Sequence, residues 1–243
     1  MKLYYDLHIH SCLSPCGEDD MTPANIAGMA QLCGLELIAL TDHNSTRNCP
    51  AFFAECRRRG IIPVAGCELT TAEDIHIICL FPGLTEAAAF GGALQRHRIL
   101  IPNRADIFGR QLIYDEHDRP TGSEEHLLIN ATDLPLEEAC TFARRFGAAV
   151  YPAHVDREAN GIIAVLGDLP PRPSFGAAEY NLPENAGPYR ARYPRLAGMR
   201  TVVGSDAHRL DALRDAENRL ELPGQDEAGL TAALIRLLNG EET

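Results

Sequence analysis

The run Asp6-Leu7-His8-Ile9-His10 sets three side chains able to bind a metal or move a proton at alternate positions. Along a β-strand successive side chains point to opposite faces, so Asp6, His8 and His10 share one face and Leu7 and Ile9 the other. Histidines two residues apart stand about 6 to 7 Å apart at their Cα atoms, near enough for both rings to meet one ion. Groups of the same chemistry recur downstream, in Thr41-Asp42-His43-Asn44, Gly66-Cys67-Glu68, Pro152-Ala153-His154 and Gly204-Ser205-Asp206-Ala207-His208. Each closes a β-branched or apolar run. In a parallel α/β barrel the C-terminal ends of all strands meet on one rim, where active sites are built. Strand ends that repeatedly carry His, Asp or Glu therefore point to one shared metal site.

A further apolar run, residues 75–81, begins next to His76, and only residues 69–74 separate it from Glu68. That gap is too short for a crossover helix, so the two runs must pair as a hairpin, with Glu68 and His76 at the same end of the sheet. A carboxylate there can bridge two cations, with His76 on one of them. Mixed imidazole and carboxylate ligation suits Zn, Mn or Fe better than Mg or Ca. Six histidines and at least two carboxylates exceed the needs of one ion and imply two or three. Clustered divalent ions activate a bridging water and neutralise an attacked phosphoryl group. His97, His117 and His126 fall in a helix and in a polar excursion and are read as surface residues.

The elements that must position these groups alternate between strand and helix, the pattern of an α/β fold. Seven strands are expected, at 3–9, 35–41, 61–68, 75–81, 148–154, 177–181 and 200–205. Thr22-Pro23 reads as an N-cap followed by proline at the first helical position, and Gly34 closes that helix. A second helix ends at Arg57-Arg58-Arg59-Gly60, a third covers 134–146, and 226–238 reads as an amphipathic C-terminal helix. Residues 103–130 form a polar excursion or lid, and 168–176, rich in proline, an ordered surface loop.

The 243 residues suit one domain spanning 1–243 and carry a net charge of −12, which disfavours broad nucleic-acid binding and anionic membranes. The N-terminus lacks the apolar run of a signal peptide, and no stretch reaches the ~20 apolar residues of a membrane helix. The sequence thus reads as cytoplasmic, and its eight cysteines, without a C-x-x-C pair, as mostly free and reduced.

Taken together these motifs resemble the PHP superfamily, named for polymerase and histidinol phosphatase domains. The match runs in order from Asp6-Leu7-His8-Ile9-His10-Ser11 through Thr41-Asp42-His43, Glu68 and His154 to Gly204-Ser205-Asp206-Ala207-His208. The resemblance implies a distorted (β/α)7 TIM-like barrel with up to three divalent ions at the C-terminal rim. It implies one ion on His8, His10, Glu68 and Asp206, a second on Glu68, His76 and His154, and a third on His43, His208 and a residue from the loop after His10. Where related phosphatases place a histidine in that loop, this sequence has Cys16, with Glu18, Asp19 and Asp20 as alternatives. Thiolate is a competent Zn or Fe ligand.

By the same resemblance the reaction is phosphoester hydrolysis by a metal-bridging hydroxide, with Glu68, Asp206 and His208 in the catalytic set. Asp6 and Asp42 are expected to orient ligand imidazoles, and Arg157 and Arg209 to grip the phosphate. The substrate expected is a small phosphorylated metabolite or nucleotide. Histidinol phosphate and short 5′-phosphorylated oligonucleotides are the alternatives. An amidohydrolase, which also opens with H-x-H, fits the later motifs poorly, and a non-catalytic PHP domain fits the nearly full ligand set poorly. Three bound ions would add about six positive charges to one pocket of an otherwise acidic protein.

Overall fold

The alternating run of the first motif lies in β1 (Lys2–Ile9) of the computed structural model, which describes residues 1–15 and 17–241. There follow α1 (Pro23–Leu32), β2 (Leu37–Leu40), α2 (Cys49–Arg58), β3 (Ile62–Thr70), β4 (His76–Phe81) and α3 (Leu84–Leu94). The polar segment holds α4 (Ala105–Phe108), β5 (Leu112–Tyr114) and β6 (Pro120–Ser123). The chain continues through α5 (Leu136–Arg144), β7 (Ala149–Pro152), α6 (Ile162–Leu166), β8 (Ala177–Tyr180), α7 (Ala186–Arg192), β9 (Arg200–Val203), β10 (Arg219–Glu221) and α8 (Glu227–Leu238). No helix among the described residues is long and apolar enough to cross a membrane.

This is a mixed α/β fold built on a curled six-stranded sheet in the order β10-β1-β2-β3-β4-β7, with β8 and β9 as a separate parallel pair. Hydrogen bonds tie that pair to both neighbours. The Val155 amide donates to the Glu179 carbonyl just beyond β7 (2.8 Å), while the Asp206 amide donates to His8 (2.9 Å) and the His10 amide to Ala207 (3.0 Å). All seven strands expected from the sequence are present. The strict βα rhythm breaks at β4, which is antiparallel to both β3 and β7. The turn before β4 is too short to carry the chain back for a parallel pairing, so the strand returns directly and sets Thr70 opposite His76.

Two apolar layers hold the strands. Ile38, Leu40, Cys67, Cys79 and Val150 pack outward against α1, α2, α3 and α5. Leu37, Val64, Ile78 and Tyr151 on the opposite face join Leu230, Leu234 and Leu238 of α8. The seven described cysteines are free, six of them buried in this packing. Local signals place the helices. The Thr22 side chain caps α1 by accepting from the Asn25 amide (3.3 Å), and Asp226 caps α8 by accepting from Gly229 (2.8 Å). Past α2, Gly60 takes the left-handed φ of +72° that glycine adopts without strain.

The third helix is shorter than the sequence suggests, starting after Pro135, and His97 lies in the turn beyond α3 rather than within a helix. The polar segment is anchored to the motif loops. Leu112 donates to the Cys12 carbonyl (3.0 Å), Tyr114 to Asn48 Oδ1 (2.9 Å), and Asn44 Nδ2 to the Leu128 carbonyl (2.7 Å), while Ile113 and Leu128 bury Leu13.

Close packing at the end of β3 is testable at Gly66. A Cβ there would stand 2.8 Å from both Leu80 Cδ2 and Thr41 Cγ2, and 3.0 Å from the Leu40 carbonyl oxygen. Gly66→Ala is expected to lower stability by about 1–3 kcal/mol, read as a lower urea midpoint at unchanged m-value. An unchanged midpoint would show that these strands do not pack so closely.

Candidate metal centre

Six of the strands deliver polar side chains to one point. His8 and His10 come from the end of β1, His43 from just past β2, Glu68 and His76 from the β3–β4 hairpin, His154 from beyond β7, and Asp206 and His208 from beyond β9. Five imidazoles surround the Glu68 carboxylate, at 2.8 Å (His76 Nδ1), 2.9 Å (His43 Nδ1), 3.1 Å (His154 Nε2), 3.3 Å (His10 Nε2) and 3.4 Å (His8 Nε2). Asp206 Oδ1 lies 3.4 Å and 3.2 Å from the Nε2 atoms of His8 and His10. Three sets of donor atoms each fall within 4.8 Å of one another: His8, His10, Glu68 and Asp206; His43, Glu68 and His76; and His10, His43 and His208. His154 touches Glu68 but belongs to none of these sets.

Hydrogen bonding alone does not account for this packing. Ser14 Oγ gives its single proton to Asp42 Oδ1 (2.7 Å), so at its 2.9 Å contact with His10 the imidazole Nδ1 must donate. His8 Nδ1 likewise donates to Glu179 Oε1 (2.8 Å). Both neutral rings then present Nε2 lone pairs to each other at 3.0 Å, a repulsive arrangement unless a proton or a cation lies between them. His43 Nδ1 and Glu68 Oε2, for all their closeness, form no hydrogen bond, and the buried His76 Nε2 and His154 Nδ1 have no partner. Buried polar atoms left unpaired in such number are costly. Convergent imidazole nitrogens and carboxylate oxygens are the donor set of a divalent transition-metal site, and the residues present fit one.

Around these donors lies a ring of supporting contacts, not all of the expected kind. Asp42 acts through serines: it accepts from the Ser11 amide and hydroxyl (both 2.7 Å) and from Ser14, which in turn holds His10. Asp6 touches no imidazole. Its Oδ1 accepts from the backbone amides of His8 (3.2 Å) and Ser205 (3.1 Å), because it sits one step below the rings and meets main chain there. Sequence reading missed Glu179, buried in β8, whose one local signal is a lone acid inside the small apolar run Ala177-Ala178-Glu179-Tyr180. His154 and Asp206 themselves adopt positive φ, 27° and 53°, as does Asn44 at 46°. Non-glycine residues in that region carry backbone strain, which concentrates where side chains must be aimed.

Exposure is uneven across the centre. His8, His10, His43, Glu68, His76 and His154 are buried, while the side chain of Asp206 is 11% exposed and that of Arg157, whose guanidinium pairs with Asp206 Oδ2, is 43% exposed. Arg209 pairs with Asp211 (3.4 Å), and none of its hydrogen bonds or ion pairs reaches the cluster. Cys16 lies outside the described residues. The exposed Glu18 donates its amide to the His208 carbonyl (3.0 Å), while Asp19 pairs with Arg110 (2.9 Å).

A family profile described as the PHP domain matches residues 6–141. A sequence comparison with curated proteins finds no match. Among solved structures, the lesion-specific endonuclease PfuEndoQ from Pyrococcus furiosus is 18% identical with a TM-score of 0.63. The likeness covers 99% of this chain, which spans only 56% of that protein. A candidate metal-dependent phosphoesterase from Bifidobacterium adolescentis is 16% identical over 96% of this chain and 95% of its own, with a TM-score of 0.57. An amidohydrolase from Chromobacterium violaceum, with bound sulfate and no metal, is 21% identical over 90% and 92%, with a TM-score of 0.56. At these identities the likenesses speak for the fold.

Burial alone would raise the Glu68 carboxyl, but His76, His8 and His43 outweigh it and hold it well below the usual carboxylate range. Burial opposes protonation of His10, yet Asp206 and Glu68 overcome it and push that imidazole up to about 9. At His43 and His208 burial prevails, pushing them down to about 3 and about 4. At pH 7 the ion-free centre therefore carries a proton on His10 that a metal must displace. Titration with Zn²⁺ near pH 7 is expected to release at least about one proton per chain from this group, and fewer near pH 10, where His10 is already neutral. Calorimetry in buffers of different ionisation enthalpy measures the release, and an unchanged binding enthalpy across buffers near pH 7 would contradict it.

Proposed function

The chain belongs to the PHP domain family, and on that footing we propose that it is a metal-dependent phosphoesterase acting on a small phosphorylated metabolite or nucleotide. The observation that carries this reading is the ring of five imidazoles about Glu68, with the partly exposed side chains of Asp206, His208 and Arg157 at its edge. His8, His10, Glu68 and Asp206 would hold one divalent ion, and Glu68 with His76 and either His43 or His154 a second. His208 with His10 or His43 offers a third position. When bound, such ions supply an activated water and offset charge on the attacked phosphoryl group.

The chain's own residues do the rest. Burial opposes ionisation of Asp206, but His8 and the bond from His10 keep its carboxyl below the usual range, so it serves as an anionic ligand and not as a proton donor. Its outward oxygen holds the Arg157 guanidinium at the exposed edge, where a phosphate could take over that fork of donors. His208, whose Nδ1 donates to the Asp206 carbonyl (2.9 Å), keeps its Nε2 lone pair for the third ion position. The net charge of −12, with the exposed Glu18 next to His208, repels a long polyanion more than one compact phosphate, which favours a small substrate over nucleic acid.

Metal analysis of the purified protein, followed by hydrolysis assays, tests this. The substrates are nucleoside monophosphates, histidinol phosphate, a short 5′-phosphorylated oligonucleotide and a duplex bearing a base lesion. Bound Zn, Fe or Mn and turnover of a small phosphoester are expected, with His43→Ala lowering kcat/KM by at least about 100-fold. Cleavage of DNA alone would move the activity to the nuclease class, and absence of both metal and hydrolysis would sink the enzyme reading.

A further inference from the structure

Glu179 is a fully buried acid that reaches no Lys or Arg among the described residues; its one ion-pair partner is the His8 imidazole. Its Oε1 accepts from His8 Nδ1 (2.8 Å) and also from the backbone amide of His154 (3.1 Å). Its own carbonyl accepts from the Val155 amide (2.8 Å). One residue of β8 thus grips a ring from β1 and the main chain beyond β7. It does so across Gly204, where a Cβ would stand 2.8 Å from Glu179 Oε2 and 2.7 Å from His8 Cβ. Glycine at the head of the Gly204-Ser205-Asp206-Ala207-His208 motif is therefore what lets the carboxylate pass over the end of β9 to His8. A buried carboxylate that reaches no Lys or Arg is expensive, and its Oε2 has no hydrogen-bond partner among the described residues. The arrangement becomes favourable when positive charge arrives on the far side of the imidazole, at Nε2.

Building on the proposed metal reading of the cluster, we propose that Glu179 is a positioning residue that fixes His8 in its Nδ1–H form and holds His154 in place, and so sets the affinity of the ion position formed by His8, His10, Glu68 and Asp206. A carboxylate behind a ligand imidazole fixes the tautomer and ring orientation and makes the facing nitrogen a better donor. The set of His43, Glu68 and His76 contains neither His8 nor His154, so it should feel the loss of Glu179 far less. The strained left-handed φ at His154, 27°, is also pinned by this contact, because its amide is one of the two donors to Oε1.

The test is competitive chelator titration of Zn²⁺ and, separately, Mn²⁺ on wild type, Glu179→Gln and Gly204→Ala, with melting curves of each protein with and without metal. Glu179→Gln keeps the size of the side chain and one acceptor, and should lower affinity for one equivalent by about 10- to 100-fold while leaving another unchanged. Its metal-free melting temperature should stay close to wild type while the rise on adding metal shrinks. Gly204→Ala, whose methyl group would crowd both the Glu179 carboxylate and His8, should lower affinity for the same equivalent. Wild-type affinity in Glu179→Gln at every equivalent, or equal melting losses with and without metal, would overturn the assignment. A wild-type chain that takes up no divalent ion would instead overturn the metal reading from which it starts.

Discussion

A glutamate with no exposure to solvent, ringed by five imidazoles, is the constraint on which this structure turns. Burying an ionised carboxylate is costly unless charge and hydrogen bonds compensate it, and breaking such a set is costlier still. Imidazoles compensate only in part, since each neutral ring has one nitrogen to offer as a donor, and two of these rings, His10 and His8, already spend that proton on Ser14 and Glu179. What remains is a knot of lone pairs in a dry interior. Divalent cations satisfy such a knot better than protons do, because one ion can accept several lone pairs at once.

The scaffold exists to hold that knot together against its own repulsion. The antiparallel return of β4 sets His76 beside Glu68, and rim hydrogen bonds between His8, His10 and the chain beyond β9 bring Asp206 and His208 over the first histidine pair. Small residues at Gly66 and Gly204 let strands and side chains approach where any Cβ would collide. Backbone strain at His154 and Asp206 is tolerated because each amide is held, by Glu179 and by the His8 carbonyl. Rigidity at this depth is what a metal centre requires, since ligands displaced by a fraction of an ångström lose their common focus.

Charge shapes the reach of the site more than its chemistry. The chain carries a net charge of −12, and Arg157, paired with Asp206, sets a cation at the exposed edge of the cluster. The likeness of fold to an endonuclease, a phosphoesterase candidate and an amidohydrolase shows one scaffold serving several leaving groups.

Sequence alone carried whatever depends on neighbours along the chain. The period of two in β1 placed His8 and His10 on one face, the short gap before His76 forced a hairpin, and caps such as Thr22 and Asp226 marked helix starts. Five strand ends bearing ligand residues were legible because each pattern is local and the barrel rim gathers them. Tertiary structure alone decided contacts between residues that share no local pattern. Glu179 looks like an ordinary acid until β8 is paired with β9 and its carboxylate meets His8 across Gly204, and Asp6 like an imidazole partner until the main chain of Ser205 is found beside it. Arg157 and Arg209 are alike in sequence, yet one meets Asp206 and the other Asp211. Periodicity fixes which face a side chain takes, whereas its partner is fixed by strands distant in sequence, through the register and reach that only the folded chain defines.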